Sequence, residues 1–318
     1  MPALKILVAC GFAAYAVYTD KFHFAELRKY LTPRIIGVAI FAFSIQIFIG
    51  AYRLKLLLAP QKTYLSYFTS LRLTYLGAFF DVFMVTSVGG DAIKALYLAP
   101  LAPKGQKTAA VSCLLLDRLV GLLGLLTLTL IVSFTQLGLW RDPQIKPYMY
   151  GLSVVSTSLL LGTLLMMSRT FYNCWPVRTV VNFMPLKIKN TLDIVFSSFQ
   201  VFQGHLFLLL GVWLLSLVTH TFGVLTGYVL ATGFGSATAL GPFFVAWLIS
   251  NFVVSFLPFG GVGSGQVMFD TLFKMIAGIA QGAELATAMQ VTIILSKSPG
   301  FVAWLISREQ APKEMPLA

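Results

Sequence analysis

The chain is short of charge. Only 11% of its 318 residues are Asp, Glu, Lys or Arg, against 58% hydrophobic, and a soluble domain of that size could not cover itself with so little polar surface. Cysteine and histidine are also scarce. Cys10, Cys113 and Cys174 stand singly in or beside apolar runs, and His23, His205 and His220 are scattered. No CxxC pair or metal-ligand spacing arises, so neither a disulfide framework nor a metal site is expected. Evenly spaced alternating strands are missing, which sets aside an outer-membrane barrel. There is no fixed-period repeat, which excludes a solenoid. A Ser-His-Asp grouping, an HExxH and a spaced carboxylate pair are all lacking, and the expectation is a chain without a cofactor.

What remains is a series of apolar runs on the scale of a membrane-spanning helix, roughly 20 residues, at a mean hydropathy of +0.84. The fold class that follows is all-α: a polytopic transmembrane helical bundle with two halves and with broken or re-entrant helices at Gly-rich turns. The formal charge of +12 lies mostly in connectors between apolar runs, where it orients helices and meets anionic head groups; nucleic acid is not expected as a partner.

In chain order, residues 1–18 read as an uncleaved first helix and 20–34 as an interfacial connector. A second span covers 35–58; its basic end, Tyr52, Arg53 and Lys55, belongs on the cytoplasmic side. Residues 64–98 are interrupted by Arg72, Asp81, Asp91 and Lys94 and read as two short helices meeting near a glycine pair. A turn at 100–105 leads into a long helix at 108–134 that carries Asp117 and Arg118. An external loop at 140–147 precedes a span at 148–168 and a basic cytoplasmic connector at 169–203. Spans at 205–231 and 240–257 form a hairpin about an uncharged turn, and 267–280 with 286–306 form the last. The sum is about eight full spans and one broken pair. Both ends would be cytoplasmic, the tail marked by Arg308 and Lys313. The whole of 1–318 reads as one integral membrane domain: a first half at 1–135, middle spans and connector at 136–203, and a second half at 204–318.

Two Gly-rich breaks organise the chain: Gly89-Gly90-Asp91-Ala92-Ile93-Lys94 and Gly260-Gly261-Val262-Gly263-Ser264-Gly265-Gln266. A helix starting just after Gly90 would offer unpaired N–H groups to an anion, with Asp91 as its cap and Lys94 one turn on. The plain alternative is a capped helix with a surface lysine. An ionised side chain at the bilayer centre costs about 2.5–3.5 kcal/mol, so Asp117 and Arg118 are expected to face a cavity or a partner. Arg118 would then reach a lipid phosphate while Asp117 holds Lys94 or Arg72; alternatively both sit at the wet end of the helix. Lys297, ahead of Pro299 and Gly300, either joins an opened helix or snorkels to the head groups. The 260–265 glycines lack the βαβ setting of a dinucleotide fingerprint. The Gly223–Gly227 and Gly278–Gly282 spacings read as helix-packing faces.

Three of these stretches, Ser87 to Ala95, Leu116-Asp117-Arg118-Leu119-Val120-Gly121-Leu122 and Pro258 to Gly263, resemble in order and spacing the signature regions of the lysylphosphatidylglycerol synthase transmembrane domain family, also called flippase-like domain proteins. The resemblance runs from about residue 35 to the last helix. It implies a helical membrane domain with broken helices which, in the best-understood members, moves an aminoacylated phospholipid from the inner to the outer leaflet. Asp91, Lys94, Asp117 and Arg118 are then the motif charges that handle a head group. No soluble aminoacyl-transferase domain is evident, so the chain is not expected to make lysyl-lipid itself. At Gly265-Gln266 many relatives carry a basic residue and a glutamate, which leaves open whether the lipid is cationic.

The leading expectation is a lipid translocase of the cytoplasmic membrane acting on a phospholipid or related lipid. Arg72, Lys94 and Arg118 would bind phosphate, with Asp91 and Asp117 balancing them. Gly89, Gly90, Gly260, Gly261, Gln266 and Lys297 complete the candidate substrate-binding set. No nucleotide site is evident. A membrane-embedded lipid transferase using Asp91 or Asp117 as base, and a non-transporting subunit that partners a separate lipid synthase or glycosyltransferase, stay open.

Overall fold

A computed structural model of the chain describes residues 32–83, 89–168, 199–235, 239–254 and 264–307, with single residues and short runs between 174 and 197. Those residues form helices and no strand. The expected first helix and connector at 1–31, most of the 169–198 connector and the tail at 308–318 lie outside the described residues.

Helix α1 (Pro33–Leu58) begins where Thr32 Oγ1 accepts from Ile35 N at 3.4 Å and Pro33 takes the first helical position, where its missing N–H costs nothing. The chain then enters the short α2 (Tyr67–Phe83) and α3 (Gly89–Leu98), followed by the long α4 (Lys107–Thr135). After a single-turn α5 (Leu137–Arg141) and α6 (Lys146–Met167), the order recurs. The long α7 (Leu206–Gly233) precedes the short α8 (Leu240–Val254) and α9 (Ser264–Leu272), and α9 widens into one π turn at Phe273–Ala277. Then come α10 (Gly282–Lys297) and α11 (Pro299–Ser307).

Four of these runs, α1, α4, α7 and the joined α10–α11, are long and apolar enough to cross a membrane, and α6, with 22 residues, also reaches the needed length. The packing repeats with the order: α4 lies on α7 and α8 much as α10 lies on α1 and α11 on α2, while α1 and α7 meet along the middle.

Two apolar cores hold this arrangement. One is centred on Leu54, Leu57, Leu76, Leu98 and Leu116; the other on Phe243, Trp247, Phe269 and Phe273. In the second, Phe243 stacks on Trp247 at 5.9 Å and Phe269 on Phe273 at 5.5 Å. Such aromatic packing suits a membrane interior, where close van der Waals contact rather than water exclusion drives association.

The spans expected at 240–257 and 267–280 correspond to α8 and α9, which hold 15 and 9 described residues on either side of the expected Gly-rich break, fewer than a full span needs. The first of the eight expected spans lies outside the described residues. Gly278 sits at φ +67 and turns the chain after the π turn, so Gly278 and Gly282 do not share a helix face as expected. Gly223 and Gly227 do lie on packing faces of α7, against Gln46 and the Trp247 ring. The expected 140–147 loop is partly helical, because α5 brings Trp140 onto Phe134 at 5.2 Å and α6 starts at Lys146.

Gly124 shows how closely α4 meets α7: a Cβ there would lie 2.5 Å from Ser216 Cβ and 3.3 Å from its carbonyl carbon. Gly124→Val is therefore expected to destabilise the fold by about 1–3 kcal/mol through overpacking. The readout is the thermal unfolding midpoint of the purified protein in detergent. Gly151→Val on α6, where a Cβ has nothing within 4 Å, should leave the midpoint near wild type.

Candidate functional site

The site begins with two glycines. Where α3 folds back on α2, a Cβ on Gly90 would meet Asp81 Oδ1 at 2.9 Å, and one on Gly77 would meet Lys94 Cε at 2.8 Å and Gly90 O at 3.0 Å. Without side chains the two backbones close up, and Asp81 Oδ1 accepts from Gly90 N at 3.1 Å. One of the unpaired N–H groups at the start of α3 is thereby satisfied. Asp81, not Asp91, is the acid that receives this N–H.

Asp91 is the third residue of α3 and turns elsewhere. Lys94 Nζ lies 3.2 Å from its Oδ1, and Arg118 Nε on α4 donates to its Oδ2. Asp117, one residue earlier on α4, points about 100° away and accepts from Arg53 Nε on α1 at 2.6 Å. Arg53 Nη1 donates to Ser216 Oγ on α7 at 2.8 Å. Gly121 leaves room for the guanidinium, since a Cβ there would lie 3.4 Å from Nη2, and its carbonyl meets His220 Nε2 at 2.9 Å. Asp81 Oδ2 stands 4.0 Å from Lys297 Nζ at the end of α10. Gly300 lets α11 press on Phe79 and the Tyr75 backbone of α2, which brings that lysine to Asp81.

The result is a polar network joining α1, α2, α3, α4, α7 and α10. In it the four cations Arg53, Lys94, Arg118 and Lys297 face the three carboxylates Asp81, Asp91 and Asp117. Asp117 is the eleventh residue of α4, about 15 Å along its axis, three turns inside the helix. Removing such ions from water costs several kcal/mol each, and only close pairing offsets it. Among the described residues each of the four cations lies on a carboxylate, with Lys94 and Arg118 sharing Asp91. Arg118 is the most open of the four, its side chain 36% exposed against 12% for Arg53.

Of the residues expected to bind substrate, Gly89, Gly90, Asp91, Lys94, Asp117, Arg118 and Lys297 are brought together here. Lys297 turns to Asp81 instead of snorkelling, and Asp117 holds Arg53 in place of Lys94 or Arg72. Arg72 stands away from Asp81: nine residues before it on α2, it lies about half a turn round the helix and some 14 Å along it. Gly260 and Gly261 lie outside the described residues. Gln266 lines a separate small cavity with Asn251 and Gln290. A further pair in the second half, Lys274 Nζ to Asp270 Oδ2 at 3.1 Å, was not anticipated.

Arg53, Ser216 and His220 were missed as site residues. Arg53 reads as the cytoplasmic end of a span because Tyr52 and Lys55 flank it, yet Leu54, Leu56, Leu57 and Leu58 continue the helix beyond it. Those leucines were the available signal that it lies within the bundle.

A family model described as Lysylphosphatidylglycerol synthase TM region matches residues 3–295, starting well ahead of residue 35. No curated protein and no solved structure matches the chain.

Breaking one side of a buried pair costs more than removing both. Asp117→Asn alone is expected to lower stability by about 3–5 kcal/mol, whereas Arg53→Met combined with Asp117→Leu should recover most of that loss. Unfolding titrations in denaturing detergent on the single and double variants give the coupling.

Proposed function

The chain belongs to the lysylphosphatidylglycerol synthase TM region family, and from that premise we propose that this membrane protein is a lipid translocase, moving a phosphate-bearing lipid between leaflets. The observation that carries the reading is the cluster of ion pairs around Arg118, whose side chain is 36% exposed, set among helices from both parts of the chain. A lipid phosphate competes with the carboxylates for these cations. Arg118 receives it first, because its guanidinium is the most open cation of the group and presents donors in a planar fork. Lys94 and Lys297 then share the phosphate, and Asp91 and Asp81, which hold these bases in its absence, are released from part of their pairing.

Exchange of one anion for another is what makes the network usable for transport. Binding can shift the bundle only through a difference in affinity between two arrangements, and ion pairs that reach across α2, α3, α4 and α10 change partners when a phosphate enters. The short pairs α2–α3 and α8–α9 are the elements free to move, since neither helix of a pair is locked across the whole membrane. The bilayer in this reading is the cytoplasmic membrane, with Lys104 in the α3–α4 turn and Lys107 at the start of α4 facing the cytoplasm. A transferase that uses Asp91 or Asp117 as base is less well supported, since both carboxylates are occupied by cations.

Leaflet exchange of head-group-labelled phospholipids in vesicles tests the proposal. Wild type should exceed protein-free vesicles, and Arg118→Ala and Lys94→Ala, inserted equally, should each slow exchange by about tenfold or more. Exchange that neither substitution alters would place the lipid path away from this network.

A further inference from the structure

The seam between α1 and α7 carries a titratable group that the phosphate site does not use. Arg53 on α1 meets Ser216 on α7, and earlier on α1, Gln46 stands against Gly223, later on α7. The two helices therefore run antiparallel, and His220 lies on α7 between these crossings. Its Nε2 is 2.9 Å from the Gly121 carbonyl of α4. A carbonyl only accepts, so Nε2 carries the hydrogen and the neutral ring keeps its lone pair on Nδ1.

The surroundings of the ring decide what a proton there would do. The Arg53 guanidinium also lies over Gly121, its Nη2 3.4 Å from where a Cβ would stand, so imidazole and guanidinium share one neighbour. Of the helices packed on α7, α1 presents Arg53, with Lys55 about 200° further round. From α4 comes Asp117, held on Arg53 at 2.6 Å, and, two turns back from Gly121, Cys113, whose Sγ donates to Leu57 O at 3.4 Å. Arg118 is turned to Asp91, and Lys297 of α10 to Asp81. Glu284 lies in the first turn of α10, α8 has no charged residue, and His205 stands ahead of the first residue of α7.

The seam also holds a polar group without a partner. Gln46 Nε2 is buried and has no acceptor among the described residues, and buried donors of this kind are met by water. Gly223, against which Gln46 stands, is three residues from His220 and on the same face of α7, so that water lies one helical turn from the imidazole.

From this geometry we propose that His220 is a proton-binding site that links lipid exchange to pH. A proton delivered by water forms an N–H bond at Nδ1 and the ring becomes a cation; no other bond changes. Two cations then border Gly121, and Asp117 is already engaged by one of them. Like charges so placed repel, and the repulsion acts across the seam, from Arg53 on α1 to His220 on α7. The protonated ring favours an arrangement in which α7 has drawn away from α1 and α4, and the proton shifts the balance by as much as it binds that arrangement more tightly. Since α1 and α7 belong to different halves of the chain, one half moves against the other. The effect on lipid rests on the translocase reading, but the proton site is observable without transport.

The test is leaflet exchange of head-group-labelled phosphatidylglycerol, whose phosphodiester stays charged throughout, in vesicles holding the full chain at equal pH on both sides. Wild type should exchange about threefold faster or more at pH 5 than at pH 8, the range in which imidazole titrates. His220→Gln and His220→Asn should each give equal rates at the two pH values, whereas His23→Gln and His205→Gln should keep the wild-type ratio. Solid-state NMR of nitrogen-15 histidine and arginine gives a second readout. The ring signal that is lost in His220→Gln should pass from the neutral to the charged form as pH falls, and the Arg53 side-chain signal should move with it. Exchange that is flat with pH or slower in acid, or a ratio that survives both His220 substitutions, overturns the proton link and leaves the translocase reading in place. Absence of exchange at either pH removes the translocase reading; a His220 signal that titrates together with Arg53 then still supports the proton site, and one that stays neutral overturns it.

Discussion

The cost of holding ionised side chains in a low-dielectric slab governs this molecule. Each carboxylate in the bundle needs a cation within reach, and in the first half that cation often comes from another helix. Asp117 on α4 depends on α1, Asp91 on α3 depends on α4, and Asp81 on α2 depends on α10. Charge pairing therefore sets which helices must meet. Glycine sets how closely they can do so: Gly77, Gly90, Gly121, Gly124 and Gly300 lie where a side chain would push the partners apart. Apolar packing fills the remaining space, but it does not specify these meetings, because one leucine face resembles another in lipid.

The two halves share an order of helices and divide the chemistry. The first half concentrates charge at its short pair. The second builds its stability from stacked aromatic rings, Phe243 on Trp247 and Phe269 on Phe273. Its remaining ion pair, Lys274 with Asp270, lies within a single stretch of chain, four residues apart, so it does not tie helices of different halves together.

Much of this was legible in the sequence, and the limits have physical causes. Composition and run length read out the helical membrane class, and the Gly89-Gly90 pair with Asp91 and Lys94 marked the first interruption because charge and glycine coincide there. The second break was marked by its run of glycines from Gly260 to Gly265, but the largely apolar helices beside it read as full spans. Asp117 and Arg118 were recognisable as expensive residues that needed partners, yet the identity of those partners was not. Arg53 lies 64 residues from Asp117, and no local pattern encodes a contact over that separation. Arg72 was grouped with the site because it too interrupts an apolar run; about half a turn of α2 and some 14 Å along it separate it from Asp81.

The central claim is that a lipid phosphate enters the charged network and is held by Arg118. The most direct measurement is nitrogen-15 to phosphorus-31 dipolar dephasing in solid-state NMR, on protein with labelled arginine side chains in phospholipid bilayers. A close nitrogen–phosphorus contact that is present in wild type and absent from Arg118→Gln is the expected result. A dephasing curve identical in the two proteins, with all arginine–phosphate contact arising from other positions, would contradict it.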